Sequence, residues 1–216
     1  MAMTNPSKFW TPRPYLSWTQ MDLLEQSEER YGEVYFDGKK RGINRGMAFG
    51  KIADEADGNG ELTGDTTLDY LMSLIPEIGK PQYAIGDETG KEPVILNGVP
   101  LYGKLDRGQR TSHGHFIGQE RKTGIGKWTQ KMVDESGQVT FYFTLIYAAY
   151  RIKPENVEFT LWYIPTEYDT NGRIQCTGEN PIPFKTKRKF SDILAMSARQ
   201  NRAWKRIQEL SINNLV

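Results

Sequence analysis

The stretch from Gly103 to Lys122 constrains the fold of this chain more than any other. Tyr102 to Leu105 and His115 to Glu120 read as short strands. The segment between them, Arg107 to Gly114, is rich in Gly, Ser, Thr and Arg, so the pattern predicts a β-hairpin. Asp106 then ends the first strand, while Glu120 and Lys122 lie near the end of the second. Residues i and i+2 of a strand face the same side, so Glu120 and Lys122 point together and Arg121 points away. A hairpin brings Asp106 close to that pair. Two carboxylates and one ammonium at a strand end can hold a hard divalent cation and polarise a water. Magnesium suits the arrangement, because it takes few carboxylates and leaves its other positions to water and substrate phosphate. The same three residues also read as an exposed strand carrying an ordinary salt bridge.

At 216 residues the chain suits one domain with its own core. A formal charge of +1 gives no global basic bias, but its distribution is uneven. Residues 181–216 hold eight Lys or Arg against two acids, a net of +6, so residues 1–180 hold 20 against 25, a net of −5. A basic tail on a slightly acidic body suits a polyanion contacted on one face. Cys176 is the only cysteine, which rules out an internal disulfide and any four-cysteine zinc or iron–sulfur site. No apolar run approaches a membrane-spanning length and the first residues lack a signal peptide's hydrophobic region, so the expected location is cytoplasmic.

Residues 1–15 hold three prolines and no periodicity, an irregular lead-in before the domain expected over 16–216. Ser17 with Gln20 is a capping-box signal for a helix bearing Met21, Leu24 and Tyr31, which Gly32 should end. Ala48, Phe49, Ile52 and Ala53 suit a packed helix, and Gly50 allows close approach. Asp54 shares the face of Gly50. Taken locally, Asp54 and Glu55 read as solvated helix residues. Ala56 to Asp65 reads as a surface loop, Thr66 to Ile75 as a short helix stopped by Pro76. Strands follow near 83–86 and 93–96 around a turn at 87–91, and Asn97-Gly98 is a tight-turn pair. Gln138 to Tyr150 is strongly apolar. Its spacing favours a buried helix, although its β-branched and aromatic content leaves a strand open. Val157 to Ile164 alternates as a strand that 173–177 and 182–187 can join. From Phe190, with Ser191 as a cap, a final helix over about 190–210 carries Arg199, Arg202, Lys205 and Arg206 in one stripe, with Trp204 and Ile207 among them. His113 and His115 read as loop residues, and no phosphate-cradling glycine loop occurs.

Asp106, thirteen residues, then Glu120-Arg-Lys122 resembles the signature of the PD-(D/E)XK nuclease superfamily. Three further pieces resemble its RecB-like and CRISPR-adaptation branch. Leu16 to Tyr31 is similar to that branch's first helix, and Met47 to Asp54 to its Gly-x-x-x-His element, with Asp54 in place of His. Gln138 and Tyr142 match its Gln-x-x-x-Tyr motif. Order and spacing agree from about residue 16 to 150. Two departures stand out. Ser27 occupies a place where many relatives have a cluster-binding cysteine, so no iron–sulfur cluster is implied here. Asp54 keeps a group able to ligate magnesium.

The resemblance implies an α/β fold of restriction-endonuclease-like type, a mixed central β-sheet flanked by helices. It implies a metal-dependent deoxyribonuclease, expected to be an exonuclease, in a phage or bacterial recombination or repair setting, with DNA and a repair or recombination protein as partners. Asp106, Glu120 and Lys122 are the implied catalytic residues. Asp54, Asp106, Glu120 and the Arg121 backbone carbonyl are the implied magnesium ligands, with manganese as a substitute. Gln138 and Tyr142 would position DNA or the Lys122 segment, and Arg199, Arg202, Lys205 and Arg206 would contact its backbone. Two alternatives stay open: a non-catalytic DNA-binding module on the same fold, and an RNA-directed nuclease.

Overall fold

The computed structural model describes residues 11–42, 44–86 and 92–213; the turn expected at 87–91 lies outside the described residues. Two short helices come first, α1 (Trp18–Gln26) and α2 (Glu28–Tyr35). The sequence predicts one helix here. Ser27 divides it, because its backbone is extended (φ −165°) and its hydroxyl accepts the Arg30 N–H at 3.2 Å. A serine that satisfies a following amide in this way favours a cap over a helix interior. Gly32 lies inside α2 and does not end it.

Helix α3 (Arg45–Asn59) is capped by the Asn44 side chain, which accepts the Met47 N–H at 2.8 Å, and stops at Gly60 in the left-handed region (φ 70°). The loop expected from Ala56 therefore begins a full turn later. Helix α4 (Thr66–Ser73) follows, capped by Asp65.

The main sheet contains β1 (Lys80–Ile85), β4 (Gly103–Arg110), β5 (Phe116–Ile125), β6 (Val157–Tyr168) and β7 (Ile174–Cys176) in the order β1-β4-β5-β6-β7, with β8 (Ile182–Thr186) also on β6. β5 and β6 are parallel over ten pairs from Phe116↔Val157 to Ile125↔Thr166; the other pairings are antiparallel. A separate hairpin, β2 (Val94–Leu96) and β3 (Val99–Leu101), turns at Asn97 and Gly98, both with positive φ. The 103–122 hairpin is longer than expected. β4 runs through Asp106 to Arg110, β5 through Glu120 to Ile125, and only Thr111 to His115 remains as the turn.

Between β5 and β6 the chain crosses over through the short α5 (Gln130–Asp134) and α6 (Gly137–Tyr150). The apolar segment is thus a helix, buried along most of its length. Helix α6 and the final α7 (Phe190–Asn213) cover one face of the sheet, joined by α1; α3 and α4 cover the other. The period of two on β6 divides the faces. Val157 and Phe159 pack with α6, whereas Trp162 and Ile164 pack with Leu68 and Leu71 of α4. Ser191 lies within α7 and not at its cap, and Trp204 and Ile207 are buried. The result is a mixed α/β fold with a central mixed sheet flanked by helices. Among the described residues no helix is long and apolar enough to cross a membrane.

Candidate active site

The sheet is irregular at Asp106. Pairing of β4 with β5 runs from Arg110↔Phe116 to Arg107↔Gln119 and stops there. On the other edge, β1 pairs through Pro81↔Arg107 and Tyr83↔Leu105, but the pair Gln82 and Asp106 between them is missing. Gln82 has φ 47°, a region that side chains other than glycine avoid at a cost of about 1–3 kcal/mol. Leu105 and Tyr83 pack in the α6-side core, and a side chain on Gly108 would strike Tyr83. Leu105 and Gly108, three apart, therefore face the same way, and strict alternation fails between them. Asp106 uses the gap. Its Oδ2 accepts the Arg121 backbone N–H at 2.6 Å, taking an amide that the ladder leaves unpaired.

Glu120 faces α6 and is 3% exposed. Its Oε1 accepts from Lys122 Nζ at 2.8 Å and from Gln138 Nε2 at 2.9 Å, and Gln138 Nε2 also reaches the Tyr142 hydroxyl at 2.9 Å. Gln138 and Tyr142, one helical turn apart, thus bind each other and brace Glu120. Gly103 permits this approach. A Cβ there would come within 2.7 Å of Leu145 Cδ1 on α6. Lys122 keeps 30% of its side chain exposed and lines a cavity of about 460 Å³ with Asp54, Gly46, Gly50 and Thr19.

Burial, followed by the charge of Glu120, pushes the Asp106 carboxyl up; burial likewise pushes Glu120 up, against the pull of Lys122. Desolvation and then Asp106 raise Asp54 to about 6. Asp54 keeps an exposed surface, so the neighbouring charge is the firmer cause. Burial works to lower Lys122, but Glu120 and Asp106 outweigh it and hold the group above its ordinary range. Glu55, by contrast, pairs with Lys51 in solvent. The two neighbouring acids of α3 are therefore inequivalent.

Among the described residues no three Asp, Glu, His or Cys side chains are grouped closely enough to hold an ion by themselves. Lys122 now sits against Glu120 as the positive partner. The donor set nevertheless fits one hard cation. Glu120 Oε2 is buried with no hydrogen-bond partner, and the charge of Glu120 adds to burial in raising the proton affinity of Asp106. Magnesium needs only one or two carboxylates, with oxygen from backbone, water and substrate for the rest.

The likeness to solved structures is one of architecture. The chain matches a protein of Eubacterium rectale named a "putative exonuclease" with a TM-score of 0.58 and 11% identity, over 99% of this chain and 88% of that one. The fold is shared. A second structure, of SSO0001, matches with a TM-score of 0.42 and 12% identity, over 87% of this chain and 75% of that one. No protein-family model and no curated protein matches the chain.

The basic stripe of α7 is divided. Arg199 Nε donates to Glu25 at 2.7 Å and the guanidinium lies 5.4 Å from the Trp18 ring. Arg206 pairs with Glu28 at 2.7 and 2.8 Å and with Glu209 at 3.0 Å. Both fasten α7 to α1 and α2. Arg202 and Lys205 are exposed, with no ion partner among the described residues.

Sequence reasoning passed over Asp57 and Arg107. Asp57, assigned to a loop, sits on α3, where its Oδ1 meets Arg107 Nη1 at 3.0 Å and Arg121 Nη1 at 2.7 Å. One signal was present: Asp57 follows Asp54 by three residues, a spacing that aligns them once the helix is known to continue.

Proposed function

We propose that the chain is a metal-dependent deoxyribonuclease of PD-(D/E)XK type. The observation that carries this reading is the convergence of Asp106, Glu120 and Lys122 where two strands lose their pairing, with Glu120 braced by Gln138. Charged groups crowded beneath a cavity oppose folding unless something offsets them, so their presence calls for a use beyond packing. The fold likeness to a protein named a "putative exonuclease" supports the same class.

Asp106 and Glu120 would hold magnesium, assisted by Asp54 and the Arg121 carbonyl. A bound magnesium ion supplies Lewis-acid polarisation of a phosphate and acidifies a water. Lys122, protonated beside two carboxylates, stabilises charge that builds on the phosphoryl oxygens and does not act as the base. Gln138 and the neutral Tyr142 hydroxyl keep Glu120 oriented. Arg202 and Lys205 offer exposed cations for a DNA backbone.

Labelled single-stranded DNA, duplex DNA and RNA, each with magnesium, manganese, calcium or chelator, test the reading together. Cleavage of DNA with magnesium or manganese, little with calcium and none with chelator is expected. Undiminished cleavage in chelator rejects the metal role; retarded but uncut DNA returns the binding-module alternative; preferential RNA cleavage returns the other. The α7 assignment has its own test. Arg202→Ala with Lys205→Ala should lower the salt slope of DNA binding by about 1.4–1.8, two phosphate contacts' worth, with melting unchanged. Arg199→Ala with Arg206→Ala should lower the melting temperature instead. A slope unmoved by the first pair removes those residues from the interface.

A further inference from the structure

We propose that Asp57 is a positioning residue for the site: by clamping Arg107 and Arg121 it holds β4 and β5 together at the point where Asp106 and Glu120 emerge. The inference rests on the nuclease reading above.

The need for a clamp follows from the ladder. Backbone pairing of the two strands ends at Arg107↔Gln119, and the β1 pairing skips Asp106. Past that point only side chains fix the strands' separation. One tie is the Asp106 to Arg121 amide bond. Another is Asp57, whose Oδ1 accepts from Arg107 Nη1 on β4 and forms an ion pair with Arg121 Nη1 on β5 at 2.7 Å. The two arginines adjoin the site in sequence. Arg107 follows Asp106, and Arg121 stands between Glu120 and Lys122. Alternation along β5 sends Arg121 to the α3 side while Glu120 turns to Gln138 of α6, and Lys122 lines with Arg121 the cavity beside α3. A shift at either arginine is passed through one peptide unit to a neighbouring catalytic side chain.

The cluster is poorly designed for stability alone. All three side chains are at most 9% exposed, two cations share one anion, and Asp57 Oδ2 and both Nε and Nη1 of Arg121 are buried with no hydrogen-bond partner. Glu77, the second acid on Arg107, is 80% exposed and contributes little. Buried ion clusters of this kind are often no more stable than apolar replacements, so geometry is the better reason for one here. Arg107 is fixed further by its Nε bond to the Ile78 carbonyl at 3.1 Å. The clamp also sets α3: Asp57 pinned to the sheet fixes the rotation of the helix, and Asp54 lies three residues earlier on it.

The test compares wild type, Asp57→Asn, Arg121→Lys and the core control Leu71→Ala. Asparagine keeps the shape and one acceptor oxygen but removes the charge; lysine keeps the charge but loses the guanidinium fork. Manganese affinity is measured by calorimetry at a temperature where all are folded, together with kcat and KM on DNA. Positioning predicts manganese affinity about 10–100-fold weaker in Asp57→Asn and Arg121→Lys, kcat lower by a similar factor and KM for DNA unchanged. Leu71→Ala should melt earlier and bind manganese normally. If Asp57→Asn does not fold, Arg121→Lys decides. Wild-type manganese affinity in the folded clamp variants overturns the inference and leaves the nuclease reading intact. A wild type that cleaves no nucleic acid overturns the nuclease reading, and the manganese titrations still decide whether Asp57 holds the carboxylates in place.

Discussion

Asp106→Ala is expected to remove measurable cation binding and to lower single-turnover DNA cleavage by about 10³-fold or more. The size follows from the several kcal/mol of charge stabilisation that a well-held metal contributes at a phosphoryl centre. Asp106 is one of two carboxylates able to supply it, and Asp54 alone, exposed on α3, does not replace it. Alanine also strands the Arg121 amide, so Asp106→Asn is the cleaner partner: it keeps an acceptor for that N–H and removes the charge beside Glu120. Because burial and Glu120 both penalise the Asp106 carboxylate, the metal-free asparagine variant should melt higher than wild type, and manganese should no longer raise its melting temperature. A variant that unfolds, or one that still gains stability from manganese, sinks the ligand assignment.

Lys122→Ala should fail differently. Turnover is expected to fall about 10²–10³-fold, the loss typical of removing one group aimed at transition-state charge, with KM for DNA nearly kept. Cation affinity should hold or tighten. The ammonium now occupies Glu120 Oε1, and its removal frees that oxygen while Gln138 continues to orient it at 2.9 Å. Calorimetry with manganese and single-turnover cleavage on the same preparations separate the two variants. Full activity in Lys122→Ala would mean that the Glu120–Lys122 contact is an ordinary salt bridge.

Much of the architecture was legible because local chemistry and tertiary context agree. Ala48, Phe49, Ile52 and Ala53 mark α3, Asn97-Gly98 closes a hairpin, and the apolar run of α6 is buried as its composition demands. The sequence failed where a distant partner changes what a residue can do. Arg107, Gln109 and Arg110 read as turn residues, yet β4 continues through them, since Asp57 on α3 neutralises Arg107 across fifty positions. Gly58 and Gly60 suggested a loop, but only Gly60 leaves the helix. Arg199 and Arg206 looked like free cations because Glu25 and Glu28, their partners, lie 174 and 178 positions away. Asp106, Glu120 and Lys122 could be paired from spacing alone. That Gln138 would brace Glu120, and that the strands would part at Asp106, required the packed sheet.

The parallel β5–β6 pair has a bearing on when the site comes into being. A parallel neighbour can only join after the whole crossover, α5 and α6 included, has been threaded, so the middle of the sheet closes late relative to the β4–β5 hairpin. The acids on that hairpin are thus brought near one another early, while Gln138 takes its place only as the crossover docks. During synthesis a chain that has emerged through the hairpin but not through β6 would carry crowded charges without their brace. Refolding followed with a paramagnetic cation should accordingly show weak, loosely held binding first, and the tight mode rising in step with burial of the Trp162 strand.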